Sequence, residues 1–284
     1  MKRKLITLVL FFIISLSLSY CDNKKEDNDK PQNIVLDTSS SYIKIASFNI
    51  QVFGKTKLKN QEVMKYIVQI IKNFDIVAIQ EIRSKGQEIL PTLTDILGNN
   101  WDYRVSEPLG RTQSKEQYGF VYNKDKVKIR YCTQVTDIND VLHREPFICY
   151  CQAGNFDFSL INIHTDPDEV AFEINILDDI LKEEINTEKD AIILGDFNAS
   201  PDKFGELLGI EGISWAVPDS IKTNVIETKN YDNLVFIKTY LNEFVTGGVF
   251  NFKIEYNLDL NFAKKISDHL PVYGVFRIDL KDDD

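Results

Sequence analysis

The 284-residue chain is predicted to be an α/β protein: a four-layer α/β sandwich in which two packed, mixed β-sheets are flanked by helices. Three observations predict it. Strand-like and helix-like segments alternate from Tyr42 to the end, with no internal repeat. Two apolar runs, Ile76 to Ile82 and Ala191 to Phe197, are nearly continuous, as in strands buried on both faces. Two longer segments keep their apolar residues on one helical face: Val63, Ile67, Ile71 and Phe74, then Val170, Ile174, Leu177, Leu181 and Ile185.

In chain order, Ile43 to Ile50 reads as a strand, Asn60 to Phe74 as a helix, Ile76 to Ile82 as a strand and Gly86 to Leu97 as a helix. Strands and hairpins follow at Tyr103 to Ser106, Tyr118 to Tyr122, Lys126 to Tyr131, Phe147 to Gln152 and Asp157 to His164. Asp168 to Ile185 is the next helix and Ala191 to Phe197 the next buried strand. Short strands at Asn233 to Phe236 and Pro271 to Ile278 enclose a helix near Leu258 to Lys265. Lys281 to Asp284 reads as a solvated tail.

This domain spans residues 42–284 and is preceded by two segments of another kind. Lys2, Arg3 and Lys4 lead into the apolar run Leu5 to Leu18, which suits an export signal (residues 1–20) and is too short for a comfortable bilayer crossing. Leu18-Ser19-Tyr20-Cys21 is similar to a bacterial lipobox, with Cys21 as the lipidated residue and a lipid anchor to a bacterial membrane as the consequence. Tyr20 stands where a small residue is usual, so plain signal cleavage stays open beside lipidation. Residues 21–41 are polar, charged and without apolar periodicity, which predicts a flexible tether. The expected location is therefore secreted or in the bacterial cell envelope.

Net charge is −10 overall, and the basic leader makes the domain more acidic still. Taken alone, that disfavours a nucleic-acid partner, since phosphate affinity usually comes from Lys and Arg; bound divalent cations would offset it locally. Three cysteines follow Cys21. Cys149 and Cys151 sit two apart on one strand and point the same way, so a single bridge involving Cys132 is open and no disulfide framework is visible.

Polar residues gather where core strands run out. Asn49 ends the first strand, Glu81 the second and His164 a third; Asp196 and Asn198 follow Ala191 to Leu194, and Asp268 and His269 precede the last strand. Each alone is what a turn or helix cap carries. Together they form a set rich in hard oxygen ligands, placed where open α/β sheets collect ligand sites. Phosphodiester hydrolysis calls for such a set. Carboxylates hold a cation such as Mg²⁺ that polarises a phosphoryl oxygen, an imidazole exchanges protons near neutral pH, and neutral donors meet the growing charge.

Four motifs, Ser47-Phe48-Asn49, Gln80-Glu81-Ile82-Arg83, Gly195-Asp196-Phe197-Asn198 and Ser267-Asp268-His269-Leu270-Pro271, resemble the endonuclease/exonuclease/phosphatase superfamily in order and spacing. Further stretches resemble the deoxyribonuclease I family within it: Ser106 to Arg111, Lys115 to Tyr118, Arg144-Glu145-Pro146, Trp215 to Ser220 and Tyr231-Asp232. The similarity runs from about Ile43 to Ile278. It implies a DNase I-like fold and two carboxylate–imidazole pairs flanking the scissile phosphate: His164 oriented by Glu116, and His269 oriented by Asp232. One imidazole would be general base and the other general acid. Glu81 would be the main ligand of Mg²⁺ (or Mn²⁺), supported by Asp268, Asn49, Asp196 and Asn198. Arg83 would enter the minor groove, and Arg111 and Arg144 would contact phosphates; surface salt bridges are the alternative use of the three arginines.

The departures are specific. Ser114 stands where the family has a tyrosine that packs on the DNA sugar, so groove contact is expected to weaken or sequence preference to alter. Ser200 and Lys229 fall near the positions of the family's stabilising disulfide, and the second, small disulfide loop is shortened between Asp137 and Asp140. Asp137, Asp140 and Glu145 could still form one structural Ca²⁺ site. Lys222 replaces the acid of the other calcium site, whose loss is expected.

The resemblance thus implies a monomeric, Mg²⁺-dependent, Ca²⁺-assisted endonuclease on double-stranded DNA, with low sequence specificity because minor-groove and phosphate contacts carry little base information. A phospholipid or inositol phosphate substrate for the same chemistry is the second reading, favoured by the acidic domain and the anchor. A non-catalytic DNA-binding or adhesion protein is the third, and it would predict the loss of a catalytic residue, of which none is missing.

Overall fold

The computed structural model describes residues 41–281. The export segment 1–20, the tether apart from Ser41, Cys21 and residues 282–284 lie outside the described residues. No described helix is long and apolar enough to cross a membrane.

Twelve strands form two six-stranded sheets among the described residues. The first holds β1 (Tyr42–Gly54), β2 (Ile76–Arg83), β3 (Trp101–Val105), β4 (Gln117–Asn123), β11 (Phe244–Val249) and β12 (Val272–Arg277), in the order β11-β12-β1-β2-β4-β3. The second holds β5 (Lys128–Gln134), β6 (Phe147–Ala153), β7 (Phe156–His164), β8 (Ala191–Asp196), β9 (Ile213–Trp215) and β10 (Asp232–Ile237), in the order β5-β6-β7-β8-β10-β9. Each sheet contains one parallel pair, β1 with β2 and β7 with β8, and the other pairings are antiparallel. The mixed two-sheet sandwich predicted from the sequence is the one observed.

Each parallel pair needs a crossover, and helices provide it. The first connection runs through α1 (Lys55–Lys59) and α2 (Gln61–Ile71), the second through α4 (Val170–Glu184). The Asn60 side chain caps α2 by accepting from Val63 N at 3.2 Å, which is why the apolar face begins there. Three apolar layers result. Ile43, Ile45, Phe120, Phe158, Leu160 and Leu194 pack between the sheets. Val63, Ile67 and Ile71 close the first sheet, and Ile174, Leu177 and Leu181 close the second.

One polar tie crosses the central layer. Gln80 of β2 donates to Asn162 Oδ1 of β7 at 2.6 Å, and Asn162 Nδ2 returns a bond to Gly119 O of β4 at 3.1 Å. Both side chains are fully buried. Unmaking either bond would strand a polar group in the core, so the pair fixes how the two sheets face each other.

Several boundaries differ from the sequence reading. The helix expected from Gly86 is α3 (Ile89–Leu97), because Gln87 has a φ of 53° and breaks the turn before it. The strand expected at Lys126 starts at Lys128, since the Lys126 and Val127 amides bond back to Asn123 O in a turn. β9, β11, α1 and the one-turn helix α5 (Phe252–Glu255) were not anticipated: they are short, and β11 carries Thr246-Gly247-Gly248 with no apolar alternation. The last helix, α6 (Leu260–Ile266), is capped by Asp259, which accepts from Phe262 N at 2.9 Å. The cysteine question resolves as a Cys132–Cys149 bridge between β5 and β6, leaving Cys151 free and buried.

Candidate active site

The parallel pairs end on the same side, and their last residues meet. In the second sheet, register places His164 of β7 beside Asp196 of β8, and Asp196 beside Asp232 of β10. Gly195 makes this possible. Its φ is 153°, and a Cβ there would lie 2.0 Å from Ile163 O, so any side chain would push β8 off β7 one residue before the site.

His164 Nδ1 lies 2.8 Å from Glu116 Oε1. Its backbone is fixed as well, since its amide donates to Tyr118 Oη at 2.8 Å and its carbonyl accepts from Arg144 Nε at 2.9 Å. The second dyad mirrors the first. His269 Nδ1 lies 2.9 Å from Asp232 Oδ2, which also accepts from Thr223 Oγ1 at 2.7 Å. Ser267 locks this loop to the first sheet: its hydroxyl donates to Asn49 O at 2.6 Å and accepts from the His269 amide at 3.0 Å.

Asp196 joins the two dyads. Its Oδ2 lies 3.6 Å from His164 Nε2 and 3.5 Å from His269 Nε2, and accepts from Asn49 Nδ2 at 3.0 Å. Its Oδ1 accepts from the amide of Asn198, held at φ 49° with its side chain donating to Thr165 O at 2.9 Å. Asn49 Nδ2 also reaches Glu81 Oε1 at 3.2 Å, while Glu81 Oε2 accepts from Val52 N at 2.9 Å. Glu81 (φ 61°) and Val52 (φ 48°) sit in a bulge of the β1–β2 ladder, which turns the Glu81 carboxylate off the sheet toward Asp196.

The electrostatics follow from burial against charge. Burial alone pulls the His164 imidazole down, yet the hydrogen bond and charge of Glu116, with Asp196 behind them, raise it above its ordinary value. Burial also opposes protonation of His269, but Asp232, Asp196 and Asp268 together raise it well above its ordinary value. Burial would push Glu116 up; His164, Arg144 and Arg83 instead hold it down at about 2. Both dyads therefore hold an imidazolium-stabilising carboxylate on Nδ1 and present Nε2 toward Asp196.

The acid side of the site suits a hard cation. Asn49 Oδ1 and Asp268 Oδ1 are buried without a hydrogen-bond partner, although both belong to strong acceptors. With Glu81 and Asp196 they supply only oxygen atoms, the donor set of Mg²⁺ or Mn²⁺. Asp196, Asp232 and His269 also place ligand atoms within 4.8 Å of one another.

All six residues expected to be catalytic, Glu116, His164, Asp196, Asn198, Asp232 and His269, converge here, as do Asn49, Glu81 and Asp268. Of the arginines, Arg83 bridges Glu81 and Glu116 at 3.2 Å each, and Arg144 is a buried partner of Glu116 at 2.8 Å. Arg111 stands apart, paired with Asp140 and Glu169. Asp137, Asp140 and Glu145 form a second acidic group within 4.8 Å, in the β5–β6 hairpin closed by the Cys132–Cys149 bridge. Sequence reasoning missed Thr223, the positioning role of Ser267, and Lys57. Lys57 donates to Ile266 O at 2.8 Å and to Gln51 O, and burial lowers its ammonium to about 8 against the pull of Glu81 and Asp268. Ser267 lies inside a recognisable motif; Thr223 and Lys57 carry no local signal.

The Endonuclease/Exonuclease/phosphatase family matches residues 46–206, which end just beyond the Asp196 segment. Bovine deoxyribonuclease-1 is 34% identical over 258 residues, 81% of this chain and 90% of that protein. The human enzyme is 34% identical over 256 residues, with 81% and 90% covered. The chain belongs to the deoxyribonuclease I family. Membership carries phosphodiester hydrolysis and dependence on a divalent metal ion with it. Mouse deoxyribonuclease-1 aligns at 35% identity over 83% of this family member and 92% of the mouse protein.

Solved structures share the fold. An endonuclease/exonuclease/phosphatase family protein from Bacteroides thetaiotaomicron superposes with a TM-score of 0.61 at 17% identity, covering 84% of this chain and 98% of that one. Truncated Caenorhabditis elegans TDP2 gives 0.60 at 16% identity, with 83% and 97% covered.

Proposed function

We propose that this protein is an exported endonuclease that hydrolyses phosphodiester bonds of double-stranded DNA with low sequence specificity. The observation that carries the reading is the pair of opposed dyads, Glu116–His164 and Asp232–His269, with both Nε2 atoms within 3.6 Å of Asp196 Oδ2. A phosphodiester seated between them meets one imidazole as acceptor of a water proton and the other as donor to the leaving oxygen. Glu116 and Asp232 hold the rings by Nδ1, fix the tautomer and stabilise each imidazolium as it forms. Asn198, anchored on Thr165 O, supplies a neutral donor to a phosphoryl oxygen.

Glu81, Asn49, Asp268 and Asp196 would hold Mg²⁺ or Mn²⁺. Such an ion, when bound, polarises the phosphoryl oxygen and neutralises part of the acidic surface. Asp137, Asp140 and Glu145 would hold Ca²⁺ as a structural ion, the same cluster that fixes Arg111. Arg83 would enter the minor groove, and the basic leader with Cys21 supports export with or without lipid attachment. The identity of the family's relatives favours DNA. So do two cation-rimmed hollows beside the site, one with Arg83, Lys85 and Lys115, the other with Lys57, Lys264 and Lys265.

Supercoiled plasmid with Mg²⁺ and Ca²⁺ tests the reading. Relaxation followed by degradation is expected, abolished by EDTA, by His164→Ala and by His269→Ala. An inert plasmid beside turnover of sphingomyelin or a phosphoinositide would overturn the DNA assignment.

A further inference from the structure

Beside the Glu116–His164 dyad lies a hollow of about 380 Å³. Ile82 and Pro108 contribute apolar lining, and Arg83, Lys85, Ser114 and Lys115 line it with polar and cationic groups. Its size falls in the range of small-molecule pockets. Arg83 connects it to the chemistry. The guanidinium is held by its edges, with Nη2 3.2 Å from Glu81 and Glu116 and Nη1 3.3 Å from Ser114 Oγ. A planar cation held at its rim is a stacking platform for an aromatic ring.

The charge around the hollow runs against that of the whole chain. Net charge is −10, yet three cations border this one concavity. Among the described residues neither Lys85 nor Lys115 is ion-paired; Lys115 donates only to the carbonyl of Gly110. The ligand such a surface fits is anionic and carries a flat, largely apolar ring, which describes a nucleotide.

In a duplex the faces of a base are covered by its neighbours and its edge by its complement. A ring enters a concave pocket only after leaving the stack, at a cost of a few kcal/mol that an already unpaired strand does not bear. Ser114 matters here because its small side chain leaves the rim open beside Arg83. We propose that the hollow receives the base and flanking phosphate of one unpaired nucleotide next to the scissile bond, so that single-stranded and locally melted DNA bind through it. This rests on the reading of the site as a DNA endonuclease.

The test uses the full chain with Mg²⁺ and Ca²⁺. Its substrates are a labelled single-stranded oligonucleotide, the same sequence annealed to its complement, and supercoiled plasmid. Ser114→Leu fills the rim without adding a ring that could itself stack on a base, and Lys85→Glu, on an exposed side chain, reverses its charge without touching the core. Each is expected to raise KM on the single strand by about tenfold, the size of one lost base contact, and to lower the single-strand to duplex ratio of kcat/KM by about fivefold or more. Parallel changes on both substrates, or an unchanged single-strand KM in both variants, overturn the pocket while leaving plasmid nicking to support the endonuclease. Failure of the unmodified protein to cut any DNA overturns both.

Discussion

Glu116 Oε1 and His164 Nδ1 lie 2.8 Å apart with the carboxylate almost fully buried. Burial would raise this acid, but His164, Arg144 and Arg83 hold it down at about 2 against an ordinary 4.5. A depressed folded-state pKa gives stability that is present above the unfolded value and lost as pH falls toward the folded one. The shift corresponds to about 3 kcal/mol. Urea unfolding between pH 5 and pH 2 (a window of roughly these two values) should show this loss in the unmodified protein and a shallower slope in Glu116→Gln. Equal slopes would mean the acid contributes nothing through its ionisation.

The second dyad is best probed through Asp232. Asp232→Asn keeps the shape and can keep the Thr223 hydroxyl bond, but it removes the charge that holds His269 high. Single-turnover cleavage should fall about 10²- to 10⁴-fold, while DNA affinity measured in EDTA stays near that of the unmodified protein. A variant that cleaves at the original rate would remove Asp232 from the mechanism.

Lys57→Met tests a residue with no sequence signature. It leaves the carbonyls of Gln51 and Ile266 without their donor, and those carbonyls sit just before the segments that carry Glu81's backbone partner and Asp268. The expected loss is about 2 to 6 kcal/mol by denaturant unfolding, since each of the two stranded carbonyls costs about 1 to 3 kcal/mol. An unfolding midpoint that does not move would show the two bonds to be dispensable.

The acidic hairpin and the disulfide should behave as one unit. Cys132 and Cys149 are 17 residues apart and enclose Asp137, Asp140 and Glu145. Closing a loop of that length stabilises by about 3 kcal/mol in the chain-entropy account. Ca²⁺ binding there should raise Tm as its concentration passes Kd. Glu145→Gln, or reduction of the bridge, should diminish that rise. A Ca²⁺ response untouched by both would place the ion elsewhere.

Much of the fold was legible because burial on both faces writes itself as continuous apolar runs, seen in Ile76 to Ile82 and Ala191 to Leu194. The site was legible for a related reason. Residues such as Asn49, Glu81, His164 and Asp196 interrupt apolar strands where packing alone would call for another Ile or Val. β9, β11 and the one-turn helices left no such trace, being short edges whose pairing is set by distant partners. Lys57 and Thr223 were invisible for a different reason: their roles depend on backbone carbonyls and on a carboxylate that only the tertiary fold brings near. The Cys132–Cys149 pairing belongs with these, because it turns on the β5–β6 register and not on spacing.

The buried Gln80–Asn162 tie has a mechanical meaning. Asn49 and Glu81 ride on one sheet, and His164, Asp196 and Asp232 on the other, so the reacting groups are assembled across a seam that is largely apolar in its interior. A slip of the sheets by a fraction of an ångström would leave every strand intact, yet would stretch both dyads, Glu116–His164 and Asp232–His269, and part Asn49 from Asp196. The tie acts as a dowel pin between two halves of a mould: Asn162→Leu should yield a folded enzyme whose turnover fails on warming well before its secondary structure does.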